Sequence, residues 1–194
     1  MTTKLSAINQ TNRKSPRRFL KRWGQDTSGT TAIEFAIVGV PFIGFCFAVI
    51  GYGFYFFTNT ALEFGVETAS RKIRTGQAQT NAITRDAFRN EICAAAGTFI
   101  DCSSSKLKIH IQSAASWAGI APTPCQTGNG LTDSGGAGSD PVSGASGGAR
   151  QAVLVTACYE WTLAQTLPFL FLGQLDNGSA IVQAVATFRT EPYQ

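Results

Sequence analysis

The chain has 194 residues, of which 44% are hydrophobic and 14% are charged, with a net charge of +4. This composition excludes an intrinsically disordered chain, which combines low hydrophobicity with high net charge. Seven of the 16 basic residues lie within residues 1–22, where no acid is present, whereas the remaining nine are balanced by ten acids from residue 63 onward. The excess positive charge therefore belongs to the N-terminal tail.

An uncharged apolar run follows this tail. Residues 35–62 contain no Asp, Glu, Lys, Arg or His. Since about 20 apolar residues suffice to cross a bilayer, we predict a transmembrane helix over residues 29–57. The run is longer than the apolar core of a removable secretory signal, so we expect it to remain in the mature protein.

The charge on either side of the run predicts its orientation. Basic residues favour the cytoplasmic side, so residues 1–28 are expected to form a basic cytoplasmic tail or leader, with the C-terminal part translocated. A basic tail is also compatible with nucleic-acid binding. We favour no nucleic-acid partner, because a topology signal beside a membrane span already explains the charge.

The residues that open the apolar run follow a specific order. Gly29 is followed by four residues and then by Glu34 and Phe35, which resembles the processing site of type IV prepilins. The segment 28–38, with Pro41 soon after, more closely resembles the TadE/TadG-like pseudopilins of the tight-adherence (Tad/Flp) pilus system. The resemblance covers residues 24–76, and the chain length suits the TadE-like branch.

The resemblance implies roles for four of these residues. A prepilin peptidase would cut between Gly29 and Thr30. Glu34 would then pair with the new amine of a neighbouring subunit or with its own, and Phe35 would lie in the same docking contact. A carboxylate near lipid is costly and is therefore usually functional. The alternative is an uncleaved, structural Glu34 near the first helical turn, where its charge complements the helix dipole.

The predicted helix continues beyond the membrane. Pro41 is expected to kink it, because proline lacks the N–H group and clashes with the preceding turn. Apolar residues recur at helical spacing after residue 58, and Glu67 and Arg71 form an i,i+4 pair. Gly76 is a stop signal. We therefore predict one helix from about residue 28 to 75, with residues 58–76 as its extracytoplasmic continuation.

Residues 77–194 are predicted to form a small periplasmic α+β domain. Thr80 or Asn81 is a candidate cap for a second helix, strands are expected at 106–112, 152–161 and 179–188, and residues 121–149 read as a mobile Gly/Ser-rich loop. The predicted fold class is α+β, with the long N-terminal helix packed on a small antiparallel sheet in a pilin-like layout. The expected core comprises Leu62, Val66, Phe88, Leu107, Ile109, Val153, Val155, Val185 and Phe188.

Five cysteines fall into two groups. Cys46 lies within the predicted span and is expected to remain reduced, while the other four would be translocated to an oxidising compartment. Four cysteines allow three pairings. We favour Cys93–Cys102, which are close in sequence, leaving Cys125–Cys158 as the second pair. The alternative of a zinc site is less favoured because no Cys-x-x-Cys pair is present.

Patterns that suggest catalysis are weak. The run from Asp101 to Ser105 matches an Asp-x-Ser-x-Ser metal-adhesion pattern, but a strand-like segment follows it at once, so we interpret it as a loop. His110 is the one histidine, and it falls on the polar face of its predicted strand without an evident catalytic partner. We expect no enzyme activity, no metal, no cofactor and no small-molecule substrate.

These features together predict a function through the resemblance. The chain is expected to be a TadE-like minor pseudopilin or membrane-anchored assembly factor for a Tad/Flp pilus, acting in adhesion and biofilm formation. It would sit in the bacterial inner membrane, and its partners would be other pseudopilins, the prepilin peptidase and the assembly platform. The alternative is an uncleaved, signal-anchored extracytoplasmic binding domain unrelated to pili.

Overall fold

The computed structural model describes residues 29–192, so the predicted basic tail and leader, residues 1–28, lie outside the described residues. The chain divides into two compact units, Met1–Cys46 and Phe47–Gln194. In the first unit the described residues are helical from Thr30 onward. The second unit holds every strand that the structure describes.

The long helix α1 spans Thr30–Arg74 and continues through Pro41 without a break in its assignment. It ends where the sequence predicts, because Gly76 adopts the left-handed conformation (φ 80°) that terminates helices readily only at glycine. Arg71, Lys72 and Arg74 lie in the last turn, where positive charge complements the negative end of the helix dipole.

Two shorter helices follow, and the prediction that Thr80 or Asn81 caps the second helix is wrong. Helix α2 spans Gln77–Thr80 and helix α3 spans Arg85–Ala96. The cap of α3 is Thr84, whose side-chain oxygen accepts a hydrogen bond from the Ala87 N–H at 3.2 Å. The hydroxyl of Thr80 instead donates to the Gly76 carbonyl, so it closes α2 rather than opening α3.

The sheet has three antiparallel strands in the order β1–β4–β5, and the predicted fold class is confirmed. Strand β1 spans Leu107–Ala114, β4 spans Ala152–Trp161 and β5 spans Ala180–Arg189. All three lie within two residues of the predicted segments. Strands β2 (Gln126–Thr127) and β3 (Gly130–Leu131) form a separate small hairpin.

The core lies between one face of the sheet and helices α1 and α3. Of the expected core residues, Leu62, Val66, Phe88, Leu107, Ile109, Val153 and Val155 are buried, and Phe188 is half-buried. The prediction that Val185 belongs to the core is wrong, because 47% of this residue is exposed. Strand residues alternate between faces, and Val182 and Ala184 place the even-numbered side chains of β5 in the core.

The opposite face of the sheet is also partly covered, which the sequence does not predict. His110 lies on the face of its strand that the sequence predicts to be polar, yet only 7% of it is exposed. Eight consecutive residues of β4, from Ala152 to Tyr159, are buried. Alternation alone would expose every second one, so this central strand is covered on both faces.

The segment 121–149 contains more regular structure than the predicted loop. It holds the β2–β3 hairpin and the one-turn helix α4, Ser143–Ser146. Val142 and Ser146 are fully buried, and Cys125 is joined to the central strand by a disulfide.

Candidate functional site

The predicted processing bond lies at the start of α1. Gly29 immediately precedes the helix, which begins at Thr30, and both residues are exposed. No heavy atom outside its immediate neighbours lies within 4 Å of the position that a Cβ atom on Gly29 would occupy. A side chain at position 29 would therefore enter open space among the described residues.

Glu34 lies on an apolar helix surface. It is exposed, and the residues one turn further on, Ile37 and Val38, are exposed aliphatic side chains. The first turn of α1 contains no acid, so Glu34 lies beyond the turn where a carboxylate best complements the dipole.

Phe35 lies beside Glu34 and is 73% exposed. Its ring packs along its own helix, since its Cε1 atom is 3.3 Å from where a Cβ atom on Gly39 would lie. Gly39 thus leaves room for the aromatic ring without displacing it. Glu34 and Phe35 thus present one exposed carboxylate and one exposed aromatic ring on neighbouring parts of the helix surface.

The helix that carries these residues is apolar and open along its first half. Within the described residues, α1 is the one helix long and apolar enough to cross a membrane, with a mean hydropathy of 2.3 in its most apolar window. None of that window is buried, and none of residues 29–50 is buried. A core helix of a soluble protein would be mostly covered, so the helix is consistent with a single-pass membrane anchor.

The first buried residue of α1 is Gly51, where the second unit begins to cover the helix. A Cβ atom there would lie 2.5 Å from the Cδ1 atom of Leu170, so glycine permits this close approach. The Tyr52 hydroxyl donates to the Leu170 carbonyl at 3.0 Å, and the Tyr55 hydroxyl donates to the Ile181 carbonyl at 3.2 Å. These contacts fix the helix against the 167–181 segment.

Exposed apolar side chains surround the helix at this level. We call them the apolar collar, which comprises Phe54, Phe57, Phe99, Leu163, Phe169 and Phe171. Phe57 and Phe99 meet edge to face with ring centroids 5.0 Å apart. Phe171 is 92% exposed and has a left-handed backbone (φ 52°), a conformation uncommon for a bulky residue. Phe54 and Phe57 belong to an aromatic cluster that the sequence places at the end of the span, whereas Phe169 and Phe171 are not predicted there; their sequence signal is the Leu-Pro-Phe-Leu-Phe-Leu run at 167–172.

The four cysteines outside the anchor form two disulfides, Cys93–Cys102 and Cys125–Cys158. These are the pairs named from the sequence. The first joins the last turn of α3 to the loop before β1, and the second joins the 121–149 segment to β4. Cys46 carries a free thiol.

The Asp101–Ser105 pattern forms a closed turn. The Asp101 carboxylate accepts a hydrogen bond from the Ser103 N–H at 3.0 Å and pairs with Lys106 at 2.9 Å. The Lys106 hydrogen bond is the main cause of a lowered Asp101 pKa. Across residues 29–192, no group of three or more His, Cys, Asp or Glu residues is placed to hold a metal ion.

Comparison with known proteins identifies the first part of this arrangement. Residues 29–71, which form most of α1, match the family model described as TadE-like protein. The resemblance seen in the sequence is therefore confirmed for this segment, and it points to a protein associated with Tad pili. No curated protein and no solved structure matches the chain.

Proposed function

We propose that the chain is a TadE-like minor pseudopilin or membrane-anchored assembly factor that supports the biogenesis of a Tad/Flp pilus, and through it adhesion and biofilm formation. The observation that carries this proposal is the match of residues 29–71 to the TadE-like model, in a helix whose exposed apolar surface holds Glu34. The role is structural rather than enzymatic. The chain is a substrate of a prepilin peptidase and a partner of other pilus components.

Glu34 acts as the docking group in this proposal. Cleavage after Gly29 frees a positively charged amine on Thr30, and Glu34 of one subunit pairs with the amine of a neighbour inside an apolar helix bundle. Such a buried pair sets register more than net stability, because desolvation offsets most of the Coulomb attraction. Phe35 packs in the same contact, while Pro41 adjusts the direction of the helix above it.

The burial pattern of α1 supports a position for the membrane boundary. At about 1.5 Å per residue, Thr30 to Ile50 extends for about 30 Å, which equals the thickness of the hydrocarbon core. We place the outer lipid boundary at Gly51–Tyr52, a few residues before the end of the predicted 29–57 span. The apolar collar then lies at the lipid interface, where aromatic side chains are favoured. Residues 1–28 are cytoplasmic and the α+β domain is periplasmic, in the bacterial inner membrane.

The test is the effect of Glu34 variants on piliation in the native host. Glu34→Gln keeps the shape and removes the charge, and Glu34→Ala removes both, so both variants should abolish pili while inserting into the membrane normally. Asp176→Ala, which removes an exposed acid from a loop of the domain, serves as the matched control and should leave piliation unchanged. Normal piliation with Glu34→Gln would contradict the docking role.

A further inference from the structure

One edge of the sheet is open along a defined stretch of β5. Since β5 pairs with β4, the backbone groups of its even-numbered residues point toward β4 and those of its odd-numbered residues point outward. The outward direction is shown by Ile181, whose N–H donates to the Gln174 side chain at 3.1 Å and whose carbonyl accepts from Tyr55. These contacts close the first end of the edge.

The other end of the edge is closed by α1. The Glu191 N–H donates to the Arg74 carbonyl at 2.9 Å, and the two side chains also pair. Between these two closures, the outward N–H and carbonyl groups of Gln183, Val185 and Thr187 have no hydrogen-bond partner among the described residues. Natural sheets usually protect such edges. Here both ends are protected and the middle is left open.

A groove of about 600 Å³ runs along this open stretch. One wall is residues 185–188 of β5, and the other is the side of α1 that carries Glu63, Glu67, Ser70 and Arg71. Ser70 is 3% exposed, and its hydroxyl has no hydrogen-bond partner among residues 29–192. A buried hydroxyl that lines a groove without a partner is a costly arrangement unless something else supplies the partner.

We propose that this groove binds an extended segment of a different polypeptide, which adds to the sheet as a fourth strand beside β5 and donates or accepts the hydrogen bond that Ser70 lacks. Strand addition to an exposed edge is an established mode of peptide recognition, in which main-chain hydrogen bonds supply affinity and side-chain pockets supply specificity. The inference refines the proposed function by naming a kind of partner.

The charges of the groove define the chemistry of that segment. Contacts of Tyr55 with Ile181 and of Arg74 with Glu191 show that α1 runs parallel to β5. Glu67 therefore lies nearer to the start of β5 than Arg71 does. The i,i+4 ion pair predicted between these two residues is not formed, and neither side chain has an ion-pair partner among residues 29–192. The docked strand carries a basic residue opposite Glu67 and an acidic residue opposite Arg71.

A second copy of this chain does not fit the groove. Two β5 edges can pair antiparallel only through a two-fold axis perpendicular to the strands, which would turn the two parallel α1 helices in opposite directions and prevent both from entering one membrane. Head-to-tail pairing requires the free edge of β1. That edge is covered, since the Ile109 N–H donates to the Ser134 hydroxyl and Lys108 pairs with Asp133.

The experiment is site-specific photo-crosslinking of the full chain in membranes of its native host. A photoreactive amino acid replaces Val185 in one strain and Thr187 in another, and Asp133, which is exposed beside the covered edge of β1, is the matched control position. The inference predicts adducts from 185 and 187 to one other polypeptide, at partner residues spaced two apart in a single segment, and none of these from 133. Adducts to a second copy, to scattered residues, or to nothing would overturn it.

A substitution pair tests the hydrogen bonds directly. Thr187→Pro removes an outward N–H that β4 does not use, and proline is tolerated at such edge positions, whereas Thr187→Ala keeps the N–H. With the photoreactive residue at 185, the proline variant should reduce the adduct about fivefold, as expected for the loss of one hydrogen bond, and the alanine variant should not. Equal adduct yields would overturn the inference.

This result is separable from the proposed pilus role. If Glu34 variants abolish piliation but no register-specific adduct forms, the strand-addition inference fails and the pilus role stands. If the adducts form and piliation does not depend on Glu34, the groove binds a partner and the pilus role fails.

Discussion

Gly65 provides the sharpest test of how α1 packs on the α+β domain. It is buried where α1 crosses α3, and a Cβ atom at this position would lie 2.6 Å from the Ile92 carbonyl oxygen and 3.0 Å from the Ala96 Cβ atom. The nearest atom belongs to the backbone of a helix, so it cannot rotate away. Gly65→Ala should therefore push the two helices apart.

The magnitude follows from two opposing terms. Replacing glycine with alanine inside a helix stabilises by about 1 kcal/mol, whereas overpacking a tight contact costs about 1–3 kcal/mol. With a backbone clash at 2.6 Å, we expect the upper part of that cost and a net loss of about 1–2 kcal/mol. Gly53→Ala is the matched control, because nothing lies within 4 Å of its Cβ position, and it should gain zero to about 1 kcal/mol.

The assay is thermal unfolding of the purified full chain in detergent, followed by near-ultraviolet circular dichroism. A gap of about 1–3 kcal/mol between the variants corresponds to roughly 2–12 °C in Tm for a domain of this size. Gly65→Ala should melt below the parent protein and Gly53→Ala at or slightly above it. A Gly65→Ala protein as stable as the Gly53→Ala protein would refute the close helix contact.

Three further predictions follow from the domain. In lipid vesicles, a nitroxide attached at Phe171→Cys in a background without the free thiol should collide mainly with oxygen. A nitroxide at Trp117→Cys, beyond the opposite end of the sheet, should collide mainly with a water-soluble relaxer. The same ratio of the two collision rates at both positions contradicts the lipid boundary. Replacing Cys125 and Cys158 with serine should lower the free energy of unfolding by about 3.7 kcal/mol, because this disulfide closes the longer loop. Replacing Cys93 and Cys102, which are nine residues apart, should lower it by about 2.6 kcal/mol. A larger loss for the Cys93–Cys102 pair in chemical denaturation contradicts this reasoning. Burial lowers the pKa of His110 below its usual 6.5, so the unfolded chain takes up a proton at a higher pH than the folded chain does, and stability should fall as the pH drops below about 6.5. Between pH 7.5 and pH 5.5, the Tm of His110→Gln should fall by less than the Tm of the parent protein. Equal losses of Tm contradict the assignment.

Long apolar patterns and glycine signals in this sequence predicted structure well. The limits of α1, the stop at Gly76 and the positions of the three main strands depend on periodicity and backbone freedom, which are local properties. The opening motif likewise predicts the TadE-like segment without any three-dimensional information, because Gly29, Glu34 and Phe35 occur in a fixed order within a few residues.

Features that depend on distant contacts were missed. Thr80 and Thr84 are both sound caps in isolation, and tertiary placement of the turn selects Thr84. Val185 is apolar and was therefore expected in the core. The strand register places its side chain on the opposite face, because neighbouring residues of a strand point to opposite faces. The burial of His110 depends on a segment that is more than ten residues away and has the composition of a loop. The groove beside β5 could not be predicted, since it requires knowing which edge of the sheet remains unpaired.

The central claim is prepilin-type processing of a TadE-like anchor, and the most direct test is intact mass with N-terminal sequencing of the protein purified from membranes of its native host. The account predicts a mature chain that begins at Thr30, with the amine positioned four residues before Glu34. A chain that begins at Met1 or Thr2 would contradict cleavage after Gly29 and would leave Glu34 without the amine that it is proposed to bind.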